Sequence, residues 1–361
     1  MQYKDTLMWQ ELNLAPQVLE TLAQKNQAVL EKIAAEIAKK QPANIYTAAR
    51  GTSDHAMIFF KYLVESTSGI PVASGAPSVV TMYGAKLKLE KSLVVACSQS
   101  GKAADVMEIV KNANECGAIT VAITNDEESP LAKLAQYHLC CFAGEEKSVA
   151  ATKTFSSQLY LAQLLADLLA GSKDKALPAL GKQLAEDAKK IDAATDSMVD
   201  AFVHTDECFI LSRGVSSAIA FECGLKLQET CYIRARAYHS SDFYHGPMAM
   251  VGEGTKVILF ASKNGLTAAA EGVHREDYLK CADKMIELGA DLYVVTDDAA
   301  SFAGKKAHIV EIPGGENEAF TMYRFALTAQ MLACKVSCGK GRNPDSPRAL
   351  KNQKTSFLGI I

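Results

Sequence analysis

The sequence predicts an α/β fold of two similar domains, each a mainly parallel sheet flanked by helices, followed by a C-terminal tail. Strand-like apolar runs alternate with amphipathic helical stretches, which is typical of a parallel sheet. The apolar runs are almost continuous, as expected for strands that are covered on both faces. With 361 residues, of which 48% are hydrophobic and 22% charged, the chain is long enough for two globular domains.

An internal repeat sets the predicted domain organisation. The turn Arg-Gly-x-Ser follows a strand-like run at 50–53 and again at 213–216. A strand, polar turn, helix and strand over 93–126 recur over 257–298. We therefore predict an N-terminal helical segment at 1–27, domains at 28–170 and 195–335, a linker helix at 171–194 and a tail at 336–361.

Composition and charge exclude several classes of function. The net charge of −3 provides no basic footprint for nucleic acid, and no apolar run has the ~18 residues that a membrane span needs. The first residues lack the apolar core of a signal peptide. Several of the ten cysteines lie in apolar runs, and their spacing is not that of metal ligands, so we expect buried thiols in a reducing, cytoplasmic compartment. We expect neither a metal nor another cofactor.

Polar turns of the first repeat are candidate phosphate-binding sites. Open α/β sheets bind ligands beyond the C-terminal ends of their strands, where the unpaired N–H groups of helix N-termini favour anions. The turns lack the P-loop and dinucleotide patterns, so no nucleotide is expected. These serines and threonines could also be ordinary helix N-caps. The matching turn of the second repeat, 262–265, lacks paired hydroxyls, and capping alone does not explain this difference. We therefore favour one phosphate site per chain, in the first repeat. The candidate residues are Gly51, Thr52, Ser53, Ser98, Gln99, Ser100 and Gly101, with Val149 and Ala151 in a third turn.

A charged stripe lies on the otherwise apolar helix predicted at 218–233. Glu222, Lys226 and Glu229 are spaced by four and three residues, so they share one face. A helix that is apolar on most sides should be covered, and burial raises the pKa of a carboxylate while a neighbouring lysine lowers it again. The stripe is therefore a candidate general base with its tuning partners, although a solvated ion pair has the same pattern.

Histidine is the other candidate proton carrier near neutral pH. His245 lies where a polar loop meets a Gly-Pro turn, which makes it the favoured histidine. His239 lies in the same loop and is the weaker candidate.

Taken in order, these motifs resemble the sugar isomerase (SIS) superfamily, and most closely the double-SIS isomerase half of glucosamine-6-phosphate synthase and its stand-alone relatives. The resemblance covers nearly the whole chain and rests on the ordered set rather than on any single motif. The matching segments are 50–53, 98–101, 149–153, 222–229, 245–247 and 345–348.

The resemblance implies roles for these residues. It implies that Glu229 moves a proton between C1 and C2 of a sugar, with Lys226 and Glu222 beside it. It implies that His245 opens the sugar ring from the neighbouring subunit of a homodimer. The residues that it implies hold the sugar phosphate are Ser53, Ser98, Gln99 and Ser100.

The chain also departs from the synthase pattern. Ala151 stands where the synthase has a serine that contacts the sugar. Asn352 aligns with the ketose-binding lysine of the synthase, and we expect the flanking Lys351 and Lys354, together with Arg348, to contact the substrate instead.

The printed chain contains no glutaminase segment that would supply ammonia, while the acid–base residues are retained. The expected activity is therefore that of a glucosamine-6-phosphate deaminase, which converts glucosamine 6-phosphate and water into fructose 6-phosphate and ammonia. Fructosamine-6-phosphate deglycase, galactosamine-6-phosphate deaminase and a synthase-like aminotransferase with a separate glutaminase remain open. A non-catalytic sugar-phosphate sensor is the alternative outside the enzymes.

Overall fold

Two parallel sheets organise the computed structural model, which describes residues 1–172, 177–270, 272–348 and 350. The strands of the first sheet are β1 (Asn44–Ala48), β2 (Val72–Ser74), β3 (Ser92–Cys97), β4 (Ile119–Thr124) and β5 (Tyr137–Cys140). The strands of the second sheet are β6 (Glu207–Ser212), β7 (Arg234–His239), β8 (Lys256–Ala261), β9 (Asp291–Thr296) and β10 (His308–Glu311). All the pairings of these strands are parallel, which confirms the predicted α/β fold.

Helices connect and flank these strands. Those that accompany the first sheet in sequence are α1 (Leu7–Leu12), α2 (Ala15–Lys40), α3 (Thr52–Thr67), α4 (Ser78–Thr81), α5 (Ala104–Glu115), α6 (Pro130–Leu134) and α7 (Lys153–Leu169). Those that accompany the second sheet are α8 (Leu180–Val203), α9 (Ser217–Lys226), α10 (Ser240–Phe243), α11 (Val273–Glu287) and α12 (Glu318–Gly339).

The two sheets have the same strand order. The first is ordered β2-β1-β3-β4-β5 and the second β7-β6-β8-β9-β10. In each sheet the chain reverses its direction of travel across the strands at one point, between β1 and β3 and between β6 and β8. Connections leave such a point in opposite directions, which opens a crevice where ligands bind in folds of this kind. The sequence repeat is therefore a repeat of the fold, with one switch point in each copy.

The chain divides into two compact units, each built around one sheet. The first-sheet unit contains Gln17–Glu146 and Lys153–Ala179. The second-sheet unit contains Met1–Pro16, Lys147–Thr152 and the described residues between 180 and 350. The domain limits drawn from the sequence stay predictions, and α8 runs where the linker helix was expected.

Apolar burial explains the composition of the strands. Each residue of β3 and β4 is buried, because helices cover both faces of these central strands.

All ten cysteines are unpaired, and eight of them are buried. Within the described residues, no helix has the length and apolar character needed to cross a bilayer.

Candidate functional site

The first switch point brings two of the candidate phosphate turns to one edge of the first sheet. β1 leads into α3 and β3 leads towards α5, and the two strands are parallel neighbours. Ser53, at the start of α3, is 6% exposed, and Ser98, directly after β3, is 8% exposed. The side-chain amide of Gln158 donates a hydrogen bond of 3.0 Å to Ser53 Oγ. Both hydroxyls are thus held at the edge where an open α/β sheet binds its ligand.

The second turn depends on a glycine. Gly101 has a φ of +62°, and a Cβ at this position would lie 2.2 Å from Ser129 Oγ. The Gly101 carbonyl accepts a hydrogen bond of 3.1 Å from the Leu131 N–H, so the turn is fastened to the start of α6. A left-handed glycine in close contact with its neighbours explains why this position has no side chain.

The other candidates of these turns are less enclosed. Thr52 opens α3 and is half-buried, as is Gln99. The Gln99 carbonyl accepts from the Asn125 N–H at 3.0 Å. Ser100 is exposed, and its Oγ accepts from the Lys102 N–H at 3.3 Å. Their role in holding phosphate remains a prediction.

The second-sheet unit contains the charged stripe. Glu222 and Lys226 have fully buried side chains, whereas the side chain of Glu229 is 22% exposed. Lys226 Nζ lies 2.5 Å from Glu229 Oε2 and 3.4 Å from Glu222 Oε1. The structure therefore brings all three residues together around one ammonium group, in a covered position rather than on a solvated face.

The local backbone differs from the single helix expected at 218–233. α9 ends at Lys226 and continues as one π-helical turn, Leu227–Cys231, after which Tyr232 adopts a left-handed conformation with φ of 55°. A π turn contains more residues than an α turn, so it rotates the residues that follow. Glu229 lies within this turn and is the member of the cluster whose side chain reaches solvent. Residue spacing along a regular helix does not predict it.

Electrostatics keep Lys226 charged. Burial alone lowers the pKa of this lysine, but the Glu222 and Glu229 carboxylates and their hydrogen bonds outweigh the burial and leave the pKa raised. At neutral pH the group is an ammonium between two carboxyl groups. This arrangement offers one accessible base, Glu229, and a fixed cation beside it.

The two histidines occupy different environments. His245 is exposed, its backbone N–H donates to the Asp242 carbonyl at 3.1 Å, and its ring bonds to neither Lys226 nor Glu229 among the described residues. His239 packs on α9, with Nδ1 at 2.8 Å from Ser217 Oγ, and burial lowers its pKa. The donation of His245 across a dimer remains a prediction.

The third candidate turn meets the tail and the N-terminal helix within the second-sheet unit. The Val149 N–H donates to the Asp345 carbonyl at 3.3 Å. The Asp345 carboxylate accepts from the N–H groups of Leu7 and Met8, at 2.9 and 2.8 Å, at the start of α1. Ala151 is half-buried in the same turn. Sequence reasoning missed this role of the N-terminal segment, because no local pattern links residues so far apart in the chain.

Tyr232 is a second residue that sequence reasoning missed. Its hydroxyl accepts a hydrogen bond of 2.7 Å from the Arg348 N–H. The guanidinium groups of Arg342 and Arg348 lie 4.1 and 4.4 Å from the centre of its ring. Tyr232 therefore anchors the tail three positions after Glu229. The expected contacts of Lys351 and Lys354 lie outside the described residues.

Replacing Tyr232 by leucine is expected to loosen the tail. The substitution removes two cation–π contacts, with Arg342 and Arg348, and the hydrogen bond from the Arg348 N–H. The two contacts of Arg348 together contribute roughly 1–2 kcal/mol, so its amide should exchange about tenfold faster with solvent deuterium. Hydrogen exchange with mass spectrometry measures the effect, with β8 as the internal reference. Tyr83→Leu, at a tyrosine that is 79% exposed, is the matched control. Unchanged exchange at Arg348 in the Tyr232 variant would contradict the anchoring role.

Among the residues that the structure describes, no three His, Cys, Asp or Glu side chains form a group that could hold a metal ion.

Comparisons with known proteins agree with the repeat. A family model described as SIS domain matches residues 36–168 and 202–338, one match for each sheet. The glutamine–fructose-6-phosphate aminotransferase (isomerizing) of Pseudomonas putida is 29% identical over 324 residues, which are 86% of this chain and 51% of the relative. The protein of the same name from Legionella pneumophila strain Lens is 31% identical, with 86% and 51% covered. The chain thus spans about half the length of these relatives.

Solved structures show the same architecture. A crystal structure from Silicibacter pomeroyi DSS-3, described as a "putative phosphosugar isomerase", is 31% identical, covers 94% of this chain and 100% of its own, and has a TM-score of 0.80. The glucosamine-6-phosphate deaminase of Thermotoga maritima is 22% identical, with 96% and 98% covered and a TM-score of 0.77. At that identity the second likeness shows the fold alone.

Proposed function

The chain belongs to the SIS domain family, and on that premise we propose that it is a phosphosugar enzyme that deaminates glucosamine 6-phosphate. The observation that carries the proposal is the cluster of Glu222, Lys226 and Glu229, in which one carboxylate of a covered ion-pair network retains access to solvent. A base that is accessible to substrate beside a fixed cation suits proton transfer next to a carbonyl group.

The first switch point supports a sugar phosphate as the substrate. Ser53 and Ser98 lie at the edge of the first sheet where open α/β folds bind their ligands, and Ser53 lies in the first turn of α3. Hydroxyls and backbone N–H groups near a helix N-terminus bind a phosphate monoester without a strong positive charge. The substrate class is therefore a sugar with a terminal phosphate.

The proposed reaction begins with the opening of the sugar ring. His245 of a partner subunit passes protons between the ring oxygen and the anomeric hydroxyl, which opens the ring. Glu229 takes the proton from C2 while Lys226 stabilises the negative charge on O1, and O1 then gains a proton. Return of a proton to C1 leaves an imine at C2. Water adds to this imine and ammonia leaves, which produces fructose 6-phosphate.

A second candidate is the aminotransfer direction. The curated relatives carry the name glutamine–fructose-6-phosphate aminotransferase, and this chain matches about half of their length. In that case the same residues would take fructose 6-phosphate and ammonia to the amino sugar. Ammonia from a separate source would then drive the synthesis.

Ammonia release from a panel of amino-sugar phosphates tests the proposal. Glucosamine 6-phosphate should be turned over faster than galactosamine 6-phosphate and fructosamine 6-phosphate. Net synthesis from fructose 6-phosphate and ammonium, without measurable release, would favour the aminotransfer candidate. Tight binding of sugar phosphate without turnover in either direction would overturn the enzymatic proposal in favour of a sensor.

The phosphate turns have their own test. Ser98→Ala is expected to raise KM about tenfold with a small effect on kcat, because a hydrogen bond to a charged phosphate contributes roughly 1.5–3 kcal/mol. Ser68→Ala is the matched control, since Ser68 Oγ bonds to the Val64 carbonyl at the far end of α3. Equal KM values for the two variants would exclude Ser98 from phosphate binding.

A further inference from the structure

The second switch point contains a pair of serines at the positions of Ser53 and Ser98 in the repeat. Ser216 follows β6 and Ser262 follows β8. Both hydroxyls donate to the same atom, Glu318 Oε1, and each distance is 3.1 Å. Comparison of the turns 98–101 and 262–265 in the sequence missed this pair, because Ser262 lies in the second turn and Ser216 does not.

Glu318 is enclosed in a set of donors that suits an anion. It is the first residue of α12, whose helix dipole favours negative charge there, and it is 5% exposed. The Leu266 N–H also donates to it. Burial raises the pKa of Glu318, and the nearby His274 and the hydrogen bonds from Ser262 and Ser216 oppose that rise. Two hydroxyls, a backbone N–H and a helix N-terminus thus hold a single carboxyl group.

The first repeat differs at the corresponding helix start. α7 opens on Lys153, whose ammonium donates to the Glu145 carbonyl at 2.6 Å. Its Ser53 hydroxyl accepts from the neutral amide of Gln158. The helix that closes each switch point therefore begins with a residue of opposite charge in the two repeats.

We propose that Glu318 is an internal ligand, which fills the anion position of the second switch point and limits the chain to the phosphate site of the first repeat. The serine pair and the Leu266 N–H form an anion cradle that the chain occupies with its own carboxylate. Removal of that carboxylate frees the cradle for a phosphate monoester or inorganic phosphate. The expectation that the wild-type chain binds one phosphate rests on the proposed function. The expectation that removal of the Glu318 carboxylate adds a phosphate site does not.

Binding stoichiometry tests this inference. The probes are inorganic phosphate and glucosamine 6-phosphate, measured by equilibrium dialysis into the millimolar range on the full chain. We expect one site per chain for the wild type, two for Glu318→Ala, and one again for Glu318→Ala combined with Ser262→Ala. Glu318→Gln keeps a side chain of the same size in the cradle and should stay at one. Should the alanine variant not fold, Glu318→Ser provides the same test with a polar replacement.

The outcomes separate the two proposals. A folded Glu318→Ala or Glu318→Ser chain that binds no more phosphate than the wild type overturns the internal-ligand role and leaves the proposed function standing. Absence of binding in the wild type together with one site in Glu318→Ala would overturn the phosphate site of the first repeat and support the role of Glu318.

Discussion

Glu229→Gln is expected to lower ammonia release from glucosamine 6-phosphate by roughly 10²–10⁴-fold, the usual contribution of a positioned general base. The amide has the shape of the carboxylate and still accepts a hydrogen bond from Lys226, but it does not take up a proton. The loss should therefore appear in kcat, while KM for the sugar phosphate stays close to the wild type.

A matched control is available in the same unit. Glu287 pairs with Lys284 at the same spacing, three residues apart, and its side chain is 67% exposed. Glu287→Gln makes the same chemical change without touching the cluster, so its kcat should equal that of the wild type. Activity of Glu229→Gln within tenfold of the Glu287→Gln value would refute Glu229 as the base.

Lys226→Met should destabilise the second-sheet unit by about 3–5 kcal/mol, because it leaves buried negative charge without its partner. Glu222 is completely buried, so its carboxylate has no solvent to compensate the loss. Trp9 is the one tryptophan of the chain and belongs to this unit, so its fluorescence follows the unit during urea unfolding. Lys284→Met, which breaks the exposed pair of the same spacing, should cost no more than about 0.5 kcal/mol.

The loss of stability in Lys226→Met should be partly reversed when the buried carboxylate of Glu222 is also neutralised. The double variant Lys226→Met with Glu222→Gln removes the uncompensated charge and should recover stability relative to Lys226→Met. A double variant less stable than the single one would show that the cost comes from packing rather than from charge.

The direction of the Lys226 pKa shift adds a pH criterion. A lysine whose pKa is raised in the folded state contributes stability that is complete below its unfolded value of 10.5 and is lost only as pH rises through the folded value. The stability difference between wild type and the double variant Lys226→Met with Glu222→Gln, which lacks the buried carboxylate, should thus be constant between about pH 6.5 and 8.5. A difference that shrinks across this range would contradict the raised pKa.

Local patterns were sufficient for the architecture. The alternation of apolar runs with amphipathic helices predicted the parallel sheets, and the recurrence of Arg-Gly-x-Ser predicted the repeat that the two strand orders show. Helical spacing also predicted that Glu222, Lys226 and Glu229 meet, because residues three and four apart on a helix are neighbours whatever surrounds them.

Solvent access within that cluster was a matter of tertiary structure. Glu229 lies in the π turn Leu227–Cys231 and retains solvent access, and the tail that packs on the left-handed Tyr232 is more than a hundred positions away in sequence. Propensities describe one residue in its local segment, so they do not predict a backbone irregularity of this kind next to distant groups.

The amino-acid sequence by itself determined the α/β class, the twofold repeat and the grouping of one lysine with two glutamates. The first and the last follow from periodicity along a short stretch, and the repeat follows from the recurrence of the same local motifs. Only the tertiary structure decided that Asp345 joins α1 to the turn at Val149 and that Glu318 fills the second switch point. The physical reason is that these hydrogen bonds join donors and acceptors brought together by the folded chain, and their energies depend on burial that no local pattern encodes.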